Sequence, residues 1–416
     1  MRARKNLVLE CGRLCLVVLL ATAAGVVLGQ QPILPTAPMV AGAAERVGAE
    51  WEVLVRKGEV TAVTSRLDLR RLAEKALAGL PGEEQERQEF VSQYAKGATA
   101  SIQHVLKGFT SYRFLGVVRT NGAGGLVFRG LLPDGAVNYH RYLIEPKAGE
   151  EVAVTDVFVV SQGEWLSSTI RWLYLLSEGK RGPGAAAKLQ GTQAELVRQA
   201  AAVERLLGFM QQRKYLEFVD AYRSLPETLK EDRTLLQMQL VASLAVEPLE
   251  FGLASKAWAK RYPGDPGLDL VTFEKLAVRG EYERSAAALE RIEQFIGTDL
   301  HLRALRGAQL ARAGQVAAGR QLAMEAVRGE PGLVTGYDAL LGIAIRAKEF
   351  QEIARILDQV GDHLPVDPKE LVQTQPQYAD FLAAPEGRQW LAKKPDIRAT
   401  RQAPITNGPA PGVARP

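Results

Sequence analysis

The chain is short of cysteine: 416 residues contain two, Cys11 and Cys15, and both lie within the first 29. The remainder therefore has no disulfide, no cysteine nucleophile and no cysteine-based metal site, and an oxidising compartment would do it no harm. Histidine is scarce as well. His104, His140, His301 and His363 are spread over distant stretches, and no two stand at the i, i+4 spacing of a helical metal site. Neither a metal nor a cofactor is expected. No Gly-x-Ser-x-Gly occurs to present a serine nucleophile. The glycine-rich NGAGG at 121–125 lies between two strand-like runs, where a hairpin turn explains it better than a phosphate cradle. No catalytic residue is assigned.

A real excess of charge is lacking too. The formal net charge of +5 is largely local, because the first 29 residues hold Arg2, Arg4, Lys5 and Arg13 against Glu10. Without them the chain has 48 basic and 46 acidic residues, a net of +2, which disfavours nucleic acid as a partner. One long apolar run exists, the 15 residues Leu14–Leu28, after the basic MRARK. That is signal-peptide architecture over 1–29, with small-residue cleavage points after Gly29 or after Ala23. The competing reading is an uncleaved membrane anchor, although a span wants roughly 20 apolar residues. Export to a periplasmic or secreted location is expected, and contact with a membrane only if the leader is retained.

A Pro/Ala/Gly linker over 30–44 leads to a segment of different character, 45–177. Residues 46–57, 66–79 and 82–106 carry apolar side chains at helical spacing and predict three helices. SYRFLGVV, GGLVFRGLL, VNYHRYLI and EVAVTDVFVV then change period, separated by NGAG, PDG and PKAGE, and predict a four-stranded antiparallel meander. The helix GEWLSSTIRWLYLL closes the segment, with Trp165, Ile170, Leu173 and Leu176 available to pack on the sheet. Residues 178–193 read as a second linker.

From 194 to 365 an aromatic or branched apolar residue returns at near-constant spacing, at Tyr215, Phe251, Tyr282, Val316 and Phe350, with intervals of 36, 31, 34 and 34 residues. Gly307, Gly314, Ala323, Ala326 and Pro331 punctuate the clearest unit. Period and punctuation resemble the tetratricopeptide-repeat family, in which helix pairs stack because none can bury its own apolar face alone. The fold class expected is thus an α+β domain followed by an all-α solenoid of about five helix pairs. Residues 366–395 predict a capping helix that docks Phe381, Leu382, Trp390 and Leu391, and 396–416 a disordered tail.

The order of elements in 45–177, with the opening WEVLVRKGEVTAVTSRLDLRRLAEKAL, is similar to the nuclear-transport-factor-two-like cone fold over about 130 residues. That resemblance implies a curved sheet around a helix, leaving a pocket that is catalytic, ligand-binding or filled in different members. Candidate ligand residues are Tyr139, His140, Arg141 and Asp156. Alternation along a strand puts His140 and Asn138 on one face and Tyr139 and Arg141 on the other. A carboxylate among branched apolar residues needs a partner when buried, so Asp156 is expected near a donor such as His140 or Arg141.

The tetratricopeptide resemblance implies that the first helix of each pair lines a groove. Its positions map to Val203, Leu207 and Met210, Gln239 and Ser243, Leu270 and Glu274, Ala304 and Ala308, and Asp338 and Ile345, an apolar trough suited to a protein or peptide segment. The leading expectation is an exported, non-catalytic interaction scaffold. Its alternative is a small-molecule-binding or hydrolase/isomerase-type cone domain tethered by the repeats. An open cone with Tyr139, His140 or Asp156 pointing inward would favour the alternative, and one filled by Phe114, Phe128, Phe158 and Trp165 would sink it.

Overall fold

A computed structural model describes residues 39–120, 123–146 and 152–393. The leader, most of the first linker and the tail lie outside them. Helix α1 (Met39–Arg56) begins inside the stretch read as linker, and it buries Ala43 and Ala44. It ends at Lys57-Gly58, where Gly58 takes a φ of 78° that a side chain would resist. A short turn of helix, α2 (Val60–Thr64), follows, so the segment carries four helices in place of the expected three. Asp68 starts α3 (Leu69–Leu77) by accepting from the Arg71 amide at 2.9 Å. The 25-residue α4 (Glu84–Gly108) leads into the sheet.

Strands β1 (Ser111–Thr120), β2 (Ala123–Leu131), β3 (Val137–Pro146), β4 (Val152–Val159) and β5 (Glu164–Trp165) form one antiparallel sheet in chain order. Four strands were expected. The fifth arises because Gly163, at φ 66°, closes a tight turn in which its amide donates to the Val160 carbonyl. The turn pairs Phe158 with Trp165 and Val159 with Glu164 before α5 (Leu166–Gly179) begins. In α5, Ile170, Leu173 and Leu176 are buried as expected, whereas Trp165 belongs to β5 and stacks edge-on against Phe158 at 5.2 Å. The second linker is ordered. Pro183–Lys188 forms a 3₁₀ turn that buries Ala186, and α6 (Gly191–Arg198) already starts at Gly191.

The rest is helical, with fifteen α-helices among the described residues from α6 onward. After α6 come α7 (Ala200–Gln211), α8 (Tyr215–Arg223), the single turn α9 (Glu227–Lys230), α10 (Arg233–Val246) and α11 (Pro248–Arg261). They are followed by α12 (Pro266–Val278), α13 (Tyr282–Ile296), α14 (Leu300–Arg312), α15 (Val316–Gly329), α16 (Val334–Ala347) and α17 (Phe350–His363). Tyr215, Tyr282, Val316 and Phe350 each open a helix, and Phe251 lies one turn into α11. Between α14 and α15 the backbones touch: a Cβ on Gly307 would stand 2.6 Å from the Gly319 carbonyl oxygen. Beyond α17 the expected cap is three pieces, α18 (Pro368–Thr374), α19 (Ala379–Ala383) and α20 (Pro385–Lys393), with Pro385 forcing the last break. Phe381 and Trp390 are buried, Leu382 and Leu391 pack beside them, and the Trp390 indole donates to Asp358 of α17 at 2.7 Å.

Contacts divide the chain into two compact units, one running through Arg279 and including 288–299, the other holding 280–287 and the residues from Leu300. The sheet shares its unit and a continuous apolar core with helices as far along as α10.

Candidate functional site

The four polar residues singled out on the sheet part company. His140 pairs in register with Phe128 and Val159, Tyr139 with Arg129, and Arg141 with Val127 and Phe158, so the expected alternation holds. Each face commits its residues differently.

The face bearing His140 is packed with rings. Tyr112 stacks on Phe128 at 4.9 Å, Phe114 lies 5.3 Å from Phe128, and Trp51 of α1 meets Tyr142 edge-on at 5.1 Å. Of the four residues expected to fill a cone, Phe114 and Phe128 lie here. Phe158 and Trp165 lie on the opposite face, where Phe158 meets Phe295 at 5.0 Å. Within the rings runs one polar thread: the Tyr112 hydroxyl is 3.0 Å from His140 Nδ1 and 2.8 Å from the Tyr142 hydroxyl. Burial pushes the His140 imidazole down to about 4 and the Tyr142 phenol up to about 12. All three side chains are therefore neutral near pH 7. They satisfy one another inside the core, where an unpaired polar group would be costly.

The opposite face holds a buried ion pair that the sequence did not announce. Arg129 Nη1 donates to Asp299 Oδ1 at 2.7 Å, and the Tyr139 hydroxyl donates to Asp299 Oδ2 at 2.7 Å. Both charged side chains are fully buried. Asp299 follows α13, whose Phe295 also lies under the Arg141 guanidinium at 5.8 Å. Arg141 reaches this position by lying across Gly125, where a Cβ would stand 2.7 Å from its Nε. Arg129 was a readable signal, a lone charge inside the apolar GLVFRGLL. Asp299 carries no local signal, because its partners are 170 and 160 residues away.

Asp156 pairs with neither His140 nor Arg141. Its carboxylate accepts from the Val157 amide at 2.8 Å, the Ser167 amide at 3.1 Å and the Ser167 hydroxyl. The Ser167 amide belongs to the first turn of α5, so Asp156 caps that helix from a neighbouring strand, where a negative charge also suits the helix dipole. Burial pushes its carboxyl above the usual range, and the bonds from Ser167 and Val157 partly hold it down.

The expected trough is mostly core. Val203, Leu207, Met210, Gln239, Ser243, Leu270 and Ala304 are buried, and Ala308 and Ile345 are half-buried. Only Glu274 and Asp338 of the mapped set are exposed. The mapped side chains are taken up by packing among their own neighbours: Val203, Leu207 and Met210 join the core that backs the sheet, and Ala304 sits with Ala326 and Leu333. A cleft of about 510 Å³ lies elsewhere, lined by Glu74, Leu77, Leu80, Glu84, Arg87, Val91 and Lys188. Its polar wall is already engaged: Arg87 donates to the Leu80 and Gly82 carbonyls at 2.9 and 3.0 Å and pairs with Glu84 at 2.6 Å.

The four sheet residues thus occupy three separate places, each with an internal partner. No known family model, curated protein or solved structure matches the chain.

Proposed function

We propose that this chain is an exported, non-catalytic scaffold for protein–protein contact, in which a tetratricopeptide-like array of five helix pairs accompanies an α+β domain of the nuclear-transport-factor-two-like type. One observation carries the reading: the polar side chains of the sheet that could have served a substrate are engaged in internal hydrogen bonds and ion pairs. His140 is held by Tyr112, Tyr139 by Asp299, and Asp156 by Ser167. The recurrence of helix starts at Tyr215, Tyr282, Val316 and Phe350 supports the array. The basic leader and its 15-residue apolar run support export.

Affinity purification of the full chain from the exported fraction of its source cell tests this. A protein recovered in stoichiometric amount, and identified by mass spectrometry, is the expected result. A small molecule that co-purifies without any stoichiometric protein would overturn the reading in favour of a ligand-binding sheet domain. Sequencing of the mature N-terminus reports whether the leader is cleaved or kept as an anchor.

A further inference from the structure

We infer that the outward stripe of α11 is the docking surface for an acidic amphipathic segment of a partner protein, an inference that rests on the scaffold reading and specifies where it operates. Helix α11 is divided lengthwise. Phe251, Ala254 and Trp258 face inward and are buried. On the outward side stand Leu249, 69% exposed, and Leu253, 55% exposed, followed by Lys256 and Lys260, also exposed. The spacing i, i+4, i+7, i+11 puts all four on one stripe about 16 Å long. Arg279 donates to the Pro248 carbonyl at 3.4 Å and lies over the Phe251 ring at 6.0 Å, so a further cation stands beside the leucine end of the stripe. Large apolar residues gathered on a surface mark contact sites when they are contiguous and rimmed by charge.

The charge pattern selects the occupant. Neither Lys256 nor Lys260 pairs with a carboxylate among the described residues, and Arg279 adds positive charge at the other end, so a matching segment interleaves apolar side chains with carboxylates. The chain's own tail after Lys393 is basic, with Lys394, Arg398, Arg401 and Arg415 against Asp396, and would be repelled. A second copy laid antiparallel would set leucines against lysines. A membrane surface would want an apolar face along the whole helix with aromatic anchors at the interface. Here the aromatic residues Phe251 and Trp258 are turned into the core.

A photo-reactive side chain placed at Leu253 in the full chain, activated in the source cell, tests the inference. The expected cross-link is to one protein, and the sequenced adduct falls in a segment of interleaved apolar and acidic residues. Lys256→Glu with Lys260→Glu should lower the cross-link yield roughly tenfold, since two exposed ion pairs are lost and two repulsions gained. Leu216→Ser, at an exposed leucine on α8, should leave the yield unchanged. These positions are exposed, so folding is checked by an unaltered thermal transition. An adduct in a neutral or basic segment, an adduct to lipid, or a yield indifferent to the lysine reversals overturns the inference. Purified chain that binds vesicles of phosphatidylcholine with phosphatidylglycerol through the same lysines would reassign the stripe to membrane. If a stoichiometric partner is purified but does not cross-link here, the scaffold reading survives and this surface does not; if no partner exists, both fall.

Discussion

Removing the Asp299 carboxylate is expected to cost the sheet-bearing unit a large share of its stability. Arg129 and Asp299 have fully buried side chains with 2.7 Å between donor and acceptor, and Tyr139 donates a second bond of the same length. Asp299→Ala leaves the guanidinium without that counter-charge and the phenol without its acceptor. Breaking one partner of a buried pair costs about 3–5 kcal/mol, against about 5–15 kcal/mol for the whole stability of a typical domain. Tyr139→Phe removes a single bond to a charged acceptor and should cost about 1.5–3 kcal/mol. Replacing both charges, Arg129→Met with Asp299→Leu, should restore most of the loss, because well-packed apolar substitutes remove the desolvation penalty together with the attraction. Urea unfolding followed by tryptophan fluorescence suits the question, since Trp51, Trp165, Trp172 and Trp258 all lie in that unit. Changing Trp390 to Phe isolates the signal. An Asp299→Ala loss below about 1 kcal/mol, or a double variant as unstable as the single one, would refute the reasoning.

Asp232 sets a pH dependence of defined sign. Burial raises its carboxyl from 3.8 to about 6 in the folded chain, against opposing hydrogen bonds that include the Leu235 amide. Folding therefore favours the protonated form: this contribution is fully present below about pH 4 and is lost as pH rises through about 6, worth up to ~3 kcal/mol. Asp232→Asn keeps an acceptor for the Leu235 amide, so urea midpoints should show the variant more stable than the parent at pH 7 and no better at pH 4. Gly307→Ala forces apart backbones with no room for a methyl group, and thermal unfolding of the C-terminal unit should show a loss of about 1–3 kcal/mol. Asp156→Ala should cost about 0.5–2 kcal/mol, the worth of a helix cap, with Ser167→Ala giving part of the same effect. Thermal stability unchanged in Asp156→Ala would count against the capping role.

Local pattern carried much of the architecture. The switch from period 3.6 to period 2 near Ser111 located the sheet, and alternation along Asn138–Arg141 correctly divided those side chains between two faces. Spacing alone marked Tyr215, Tyr282, Val316 and Phe350, and each of them opens a helix. What stayed hidden depends on contacts between distant segments. Nothing near Asp156 specifies Ser167 over His140 as its partner, because the β4–β5 turn that brings α5 back is set by one glycine. Asp299 looks like any loop carboxylate until Arg129 and Tyr139 are beside it. The groove positions misled for a related reason: most of them are apolar whether they line a trough or a core, and only the packing of neighbouring helices decides.

The pairing of Arg129 and Tyr139 with Asp299 also sets a timetable for biosynthesis. The two strand residues leave the ribosome 170 and 160 residues before their carboxylate does. At about 5–20 residues per second, Arg129 and Tyr139 wait roughly ten to thirty seconds for their carboxylate. A nascent chain halted before Asp299 should then be a better client for a holdase chaperone, and a better substrate for proteases, than one released ten residues later.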